Sequence, residues 1–162
     1  MSSESQFETL YRYHFQTTAQ LMVFAAKLSS SDYFAHPGYG HGSIHDLLFH
    51  ILRTDRSWRT ALETGRQQAG IRPEDFPTLD SLKQGFIQEQ TSWQNRIDQY
   101  SPAEINADIT LFNWRDERWN VPLWRILQHV ILHGMQHQTE IAQLLTAKAQ
   151  SPGDIDFIFY QG

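Results

Sequence analysis

The stretch QHVILHGMQHQTEIAQLL, residues 128–145, carries its apolar residues at the spacing of one face of an α-helix. Within it His133 and His137 lie four residues apart, on the same apolar stripe as Val130 and Ile141. Residues four apart on a helix have Cβ atoms about 5–6 Å from each other, so both imidazoles can reach one metal ion at about 2.0–2.1 Å. The stripe predicts that both rings point into a helical bundle, where they would form half of a metal site.

This pair alone has modest specificity, because two core histidines satisfied by hydrogen bonds leave the same pattern. A third ligand would strengthen the metal hypothesis, and the chain offers His50 on the second helical segment and His14 on the first. On a helical wheel His14 lies near the centre of its apolar stripe, whereas His50 lies at the edge of its own. Periodicity therefore slightly favours His14 and leaves the choice open.

Three further segments show the helical period. Ser43 precedes Asp46 by three residues, which resembles a capping box, and Gly65 stands where a helix commonly ends. The four predicted helices run over roughly residues 4–29, from Ser43 to Gly65, from about Thr78 to the residues before Pro102, and from about Pro122 to Ala149.

In the segment between the third and fourth helices, apolar residues recur at a shorter period than in a helix. Between Ile105 and Val121, apolar residues flank a polar turn at residues 115–117, which predicts a small β-hairpin. Four amphipathic helices that are too short to stand alone bury their stripes most simply against one another. The sequence therefore predicts an all-α four-helix bundle with a small β-hairpin, in a single domain over residues 1–162.

Composition limits the chemistry of any site. The chain has 162 residues and no cysteine, which excludes disulfides, thiolate zinc sites, iron–sulfur clusters and cysteine nucleophiles. Its 13 basic and 18 acidic residues give a formal charge of −5, so nucleic acid is not an expected partner. No apolar run approaches the roughly 20 residues of a membrane span, and residues 1–9 are too polar for a signal peptide. We expect a cytoplasmic protein without a membrane partner.

Two acidic residues have competing interpretations. Asp55 follows His50 by five residues, and it either orients a ligand imidazole or is a solvated helix charge. Glu89 lies on the apolar stripe of the third helix. It either approaches a metal as ligand or base, or it reaches solvent or pairs with an arginine, and the second interpretation is favoured.

Other histidines and aromatic residues have simpler explanations. Three aromatic residues at helical spacing are expected in the core rather than along a pocket: Tyr11, Trp58 and Trp93. Three histidines surround a glycine-containing loop and are explained by loop and capping roles, with a second metal site as the weaker alternative: His36, His41 and His45.

The segments DLLFHILRTDRSW (46–58), PLWRILQHVILHGMQHQTEIAQLL (122–145) and DIDFIFY (154–160) resemble the DinB-like superfamily of metal-binding four-helix bundles. In that superfamily one histidine of the second helix and two at i, i+4 on the fourth bind a divalent metal. The resemblance implies that the ligands here are His50, His133 and His137, and so selects His50 over His14.

Two further positions of the fourth helix are interpreted from the same resemblance. His129 fits the family pattern at a place outside the metal shell, which implies a packing or hydrogen-bonding role. The family often carries arginine directly after the last ligand, whereas this chain has Gln138. We expect that difference to affect a substrate contact and not metal capture.

Three neutral imidazoles leave coordination positions open on zinc, nickel or a similar ion, where water or substrate can bind. DinB-like proteins include metal-dependent hydrolases and low-molecular-weight thiol transferases, so the resemblance implies one of these activities on a small-molecule substrate, with no catalytic residue assigned. The alternative is a stress-associated metal-binding or interaction protein without turnover. The resemblance also implies a homodimer.

Overall fold

The helices begin and end where short polar motifs satisfy their terminal backbone groups. In the computed structural model, which describes residues 6–162, Ser43 Oγ accepts from the amide of Asp46, and Asp46 Oδ2 accepts from the amide of Ser43. The same helix ends at Gly65, which adopts φ 75° and donates to the carbonyl of Ala61 at 2.8 Å. The predicted capping box and glycine stop are both confirmed.

The helices in chain order are α1 (Gln6–Ala25), α2 (Ser30–Tyr33), α3 (Ile44–Thr64), α4 (Leu79–Ile97), α5 (Pro102–Asn106) and α6 (Leu123–Ala147). Single 3₁₀ turns occur at Pro73–Asp75 and Phe157–Phe159. Helix α1 ends earlier than residue 29, because Ser29 caps the separate turn α2 by accepting from the amide of Asp32. Ser101 likewise caps α5, a helix that the sequence analysis did not predict.

The predicted hairpin is present between α5 and α6. Strands β1 (Asp108–Phe112) and β2 (Arg118–Pro122) pair antiparallel, with Asp108 opposite Pro122 and Phe112 opposite Arg118. Phe112 donates its amide to the carbonyl of Gly65 at 2.9 Å and accepts from the amide of Gln67 at 2.8 Å. These two bonds tie the hairpin to the C-terminal end of α3.

The four long helices form a ring in which α1 and α3 each pack against both α4 and α6. Helices α1 and α3 are therefore diagonal to each other, as are α4 and α6. The core is apolar and includes the fully buried side chains of Leu48, Ile51, Leu82, Leu127 and Ile141. This architecture confirms the predicted all-α four-helix bundle with a small β-hairpin. Within residues 6–162, helices long and apolar enough to cross a membrane are absent.

Candidate metal centre

Three histidines from neighbouring helices meet between α3 and α6. The ring of His50 lies 4.9 Å from that of His133 and 4.7 Å from that of His137, and the latter two are 4.6 Å apart, centroid to centroid. The Nε2 atoms of His50 and His133 face each other at 3.0 Å. The structure thus brings together the three residues that the resemblance implied as ligands.

The separation of these two nitrogens suits a shared metal ion. Two ligand atoms on a tetrahedral ion at about 2.0–2.1 Å lie about 3.3 Å apart. The observed 3.0 Å is close to that spacing. A hydrogen bond between one protonated and one unprotonated Nε2 gives a similar distance, so the spacing accommodates a metal without requiring one.

A fourth histidine, His41, joins the site from the loop before α3. Its ring stacks on His50 at 4.7 Å with an interplanar angle of 15°, and meets the edge of His137 at 4.7 Å. One ring nitrogen from each of His41, His50 and His137 lies within 4.8 Å of the other two, so these three side chains can hold one ion. This group contains His41 where the resemblance implied His133, which meets it through the Nε2 contact with His50. His41, His50, His133 and His137 are called the histidine cluster below.

His41 was expected to have a loop or capping role, with a second metal site as the weaker alternative, because a loop has no helical period from which the direction of its side chain can be read. The available signal was the tripeptide Gly40-His41-Gly42. Gly40 and Gly42 adopt φ 66° and 114°, in the left-handed region that favours glycine. A Cβ atom on Gly42 would lie 2.5 Å from Oδ2 of Asp46, the residue that caps α3. The start of α3 therefore fixes the turn that presents His41.

The cluster disfavours protonation of its own rings. Burial, followed by the neighbouring His137, lowers the pKa of His50 to about 4 and that of His133 to about 3. Burial also lowers the pKa of His137. These three imidazoles are therefore neutral near pH 7, and a neutral imidazole is the form that binds a metal.

Two buried ring nitrogens of the cluster lack a protein partner. Among the residues that the structure describes, Nδ1 of His133 and Nδ1 of His137 make no hydrogen bond. The latter lies 3.3 Å from Oε1 of Glu140 without hydrogen-bond alignment. A small rotation of either side chain would let this carboxylate accept from Nδ1–H of His137, which would leave the Nε2 lone pair free for an ion. Glu140 was not predicted, although its i, i+3 spacing from His137 was visible in the sequence.

His14, the alternative third ligand, lies outside the cluster. Its Nε2–H donates to Oδ2 of Asp55 at 2.8 Å, and its Nδ1 lies 3.3 Å from the amide nitrogen of Gln138. Both ring nitrogens are thus engaged by protein groups, and the ring is 1% exposed. The central position of His14 on its stripe reflects core packing, so the geometry favours His50 as the third ligand.

The partners of His14 extend a buried polar network, defined as His14, Thr18, Asp55, Trp93 and Gln138. Asp55 is fully buried, so the interpretation as a solvated helix charge is wrong, and it orients His14 rather than a cluster histidine. Trp93 Nε1 donates to the carbonyl of Asp55 at 3.2 Å. Gln138 donates to the carbonyl of His14 at 2.9 Å and to Thr18 Oγ1 at 2.8 Å. Gln138 is therefore a core residue and not a substrate contact.

Glu89 does not approach the histidine cluster. Its carboxylate accepts two hydrogen bonds from Arg59, at 2.5 Å from Nε and 3.1 Å from Nη2. The interpretation that it pairs with an arginine is confirmed. Burial raises the pKa of Glu89, while this ion pair raises the pKa of Arg59.

The remaining candidates have packing or loop roles. Tyr11 and Trp93 are fully buried, with ring centroids 4.7 Å apart, as predicted for core residues. His129 packs edge-on against Trp58 at 5.4 Å, which agrees with a role outside the metal shell. His36 Nδ1 accepts from the amide of Gly38 at 2.9 Å, in agreement with its predicted loop role. His45 instead lies in the first turn of α3, and its Nδ1 is 3.0 Å from the hydroxyl of Tyr33.

A groove opens between α3 and the hairpin, one helical turn along α3 from His50, and the four histidines of the cluster are not among the residues that line it. Its volume is about 690 Å³, and its wall includes Arg53 and Ser57 of α3 together with Trp114 and Trp119 of the hairpin. Arg53 follows His50 by one helical turn, and its charge contributes to the lowered pKa of that histidine. Trp119 stacks on Trp58 at 6.0 Å. A small molecule in this groove would contact a cation and aromatic surface.

The donor set of the cluster suits a divalent ion such as zinc or nickel, because neutral imidazole nitrogens bind both. None of the curated proteins with which the chain was compared matches it. The sequence model described as the DinB family matches residues 1–161, nearly the whole length. This chain therefore belongs to the DinB family.

Proposed function

We propose that the chain binds one divalent metal ion through His50, His133 and His137, with zinc or nickel as the expected ion. The observation that carries the proposal is the 3.0 Å separation of the facing Nε2 atoms of His50 and His133. Family membership supports it, and so does the burial that lowers the pKa values of His50 and His133 and keeps both rings neutral. In this proposal the ion belongs to a single DinB-like domain.

The proposed activity is that of a metal-dependent enzyme, either a hydrolase or a low-molecular-weight thiol S-transferase. A divalent ion held by neutral imidazoles supplies a Lewis acid, which serves hydrolysis by activating water and thiol transfer by stabilising a thiolate. Glu140 lies beside His137 with its side chain one-third exposed, where it can accept a proton. The groove gives a small-molecule substrate a binding surface, with Arg53 available to an anionic group.

A second candidate function is metal binding without turnover, in a stress-associated binding or interaction protein. The observation that favours it is the position of His41, which supplies a fourth nitrogen next to the proposed ligands. Four protein ligands close the coordination sphere of zinc, as in structural sites.

Metal titration of the purified, metal-free chain tests the binding proposal. We expect one zinc or nickel ion per wild-type chain by calorimetry and elemental analysis, and loss of that stoichiometric binding in His50→Ala. The matched control is His129→Ala, which removes a histidine of α6 outside the proposed ligand set. Equal binding by wild type and His50→Ala would refute the proposal.

Reaction class is tested on the metal-loaded protein with two substrate panels, one of esters and amides and one of electrophiles offered with low-molecular-weight thiols. Turnover that disappears in His50→Ala and whose KM rises in Arg53→Gln supports a metal-dependent enzyme that uses the groove. Metal binding without turnover in either panel favours the second candidate. We also propose a homodimer, on the strength of the family resemblance, and light scattering of the purified protein tests it.

A further inference from the structure

His41 differs from the other members of the histidine cluster in how it is held. His50, His133 and His137 project from α3 and α6, whose backbones are fixed by intrahelical hydrogen bonds. His41 projects from a turn, and its side chain is exposed. Its ring contacts are the stack on His50 and the edge contact with His137. The exposed ring of His41 can therefore leave the cluster by rotation of its own side chain with less packing to displace than the more buried rings of the helical histidines.

The turn nevertheless holds His41 close to the cluster. Gly42 cannot carry a Cβ without meeting the capping carboxylate of Asp46 at 2.5 Å. A Cβ on Gly40 would lie 3.7 Å from Oε2 of Glu140, the carboxylate next to His137. The backbone on both sides of His41 thus packs against α3 and α6, which restricts the space that its ring can occupy. A ring restricted in this way pays little entropy when it binds an ion.

From this geometry we propose that His41 is an exchangeable fourth protein ligand, which closes the metal site in the resting protein and is displaced by an incoming anion or thiolate. The inference rests on the proposed metal binding by His50, His133 and His137. Exchange breaks the bond from the ion to the His41 nitrogen and forms a bond from the ion to the incoming ligand. The imidazole leaves as a neutral group, so the step involves no oxidant or reductant.

An exchangeable His41 would let the same metal site serve both candidate functions, as a closed site when His41 is bound and as an open site when it is displaced. With His41 bound, and with Nε2 of His133 joining the three nitrogens that lie within 4.8 Å of one another, an ion would have four protein nitrogens, the arrangement of a structural zinc site. With His41 displaced, three protein nitrogens would remain and one position would be open to water or substrate, the arrangement of a catalytic zinc site. Access of small ligands to the ion is then set by the fraction of molecules in which His41 is displaced.

Cobalt(II) substitution tests the inference with a readout other than turnover. The metal-free wild type, His41→Ala and His36→Ala are each loaded with one equivalent of cobalt(II), and their visible spectra are recorded during titration with azide. His36→Ala is the matched control, because His36 belongs to the same loop and bonds the amide of Gly38 instead of joining the cluster.

We expect cobalt(II) to bind all three proteins and its ligand-field bands to differ between His41→Ala and the other two, because water replaces an imidazole. If His41 occupies the fourth position in about nine molecules of ten, its removal tightens the apparent azide affinity about tenfold. His36→Ala should match the wild type in both measurements.

The possible failures are distinguishable. A wild type that binds no stoichiometric cobalt refutes the proposed metal site, and with it the inference. A wild type that binds cobalt, together with a His41→Ala variant of identical spectrum and azide affinity, refutes the fourth ligand alone. Equal changes in His41→Ala and His36→Ala would also overturn the inference, because they would reflect the loop and not a bond to the ion.

Discussion

The bundle contains two groups of buried imidazoles that contact different chemical partners. In the polar network, both ring nitrogens of His14 have protein partners, at 2.8 and 3.3 Å. In the histidine cluster, His133 faces another imidazole through Nε2, and its Nδ1 has no protein partner among residues 6–162. Position on an apolar stripe therefore shows that a histidine is buried, whereas its hydrogen-bond partners show whether it is available to a metal.

The largest expected effect is loss of the metal from the cluster. We predict that His133→Ala or His137→Ala abolishes stoichiometric zinc or nickel binding, because each removes one of three proposed ligands. Most helical structure should remain, since the helices are held together by an apolar core that does not include these two side chains. Elemental analysis and far-ultraviolet circular dichroism measure the two quantities on the same samples.

His14→Ala is the matched control for that experiment and should keep its metal. If His14→Ala loses the ion while His50→Ala retains it, the third ligand is His14 and not His50. If His133→Ala keeps the ion and His41→Ala loses it, the three primary ligands are His41, His50 and His137, the set whose nitrogens lie within 4.8 Å of one another.

A second prediction concerns stability in the polar network. His14→Ala leaves the carboxylate of Asp55, which is fully buried, without its imidazole partner. Removing one partner of a buried pair typically costs about 3–5 kcal/mol, so we expect a loss of about 3 kcal/mol in the free energy of unfolding. Denaturant unfolding of the metal-free proteins measures this loss.

The double variant His14→Ala/Asp55→Ala serves as the control for that loss. It should be less destabilised than the sum of the two single variants, because it leaves no unpaired carboxylate. If the losses in the free energy of unfolding of the two single variants add up to that of the double variant, the two side chains do not depend on each other. The hydrogen bond between them would then not contribute to stability.

The smallest expected effect comes from Gly134, which lies between the two groups. A Cβ on Gly134 would lie 2.2 Å from Cε1 and 2.4 Å from Nδ1 of His14. Overpacking of this kind costs about 1–3 kcal/mol, and the gain in helix propensity from glycine to alanine recovers up to about 1 kcal/mol. We therefore predict that Gly134→Ala loses about 1 kcal/mol of stability in denaturant unfolding.

Helix propensity and overpacking are separated by repeating the substitution without the imidazole. In a His14→Ala background the steric conflict is gone, so Gly134→Ala should stabilise the chain there. A destabilisation of equal size in both backgrounds would mean that His14 does not set the requirement for glycine at this position.

Local signals made much of the fold predictable. Ser43 with Asp46, and Gly65, mark helix ends through contacts within a few residues, and the structure has those contacts. The stripe through His133 and His137 likewise gave the inward direction of α6, and the polar turn before β2 indicated the hairpin. The early end of α1 was not predictable, because Ser29 served as the cap of another turn instead of continuing the helix.

Contacts between distant segments limited the prediction of the site. A helical wheel places His14 on the inner face of α1, but it does not show that Asp55 on the diagonal helix α3 lies opposite. A helical wheel cannot be drawn for a loop residue such as His41, so the stack of its ring on His50 could be seen only in the folded turn. Resemblance to the DinB family supplied His50 where periodicity alone favoured His14.

The polar network has a consequence for how the four long helices align. His14 and Thr18 come from α1, Asp55 from α3, Trp93 from α4 and Gln138 from α6, and hydrogen bonds connect them across the core. Sliding one helix by a single residue moves it about 1.5 Å and turns its side chains by about 100°, so these bonds cannot survive a change of register. Apolar packing tolerates small slips, but directed bonds do not. The network therefore fixes the axial register of the four long helices. The spacing between His50 on α3 and the two histidines of the cluster on α6 depends on that register.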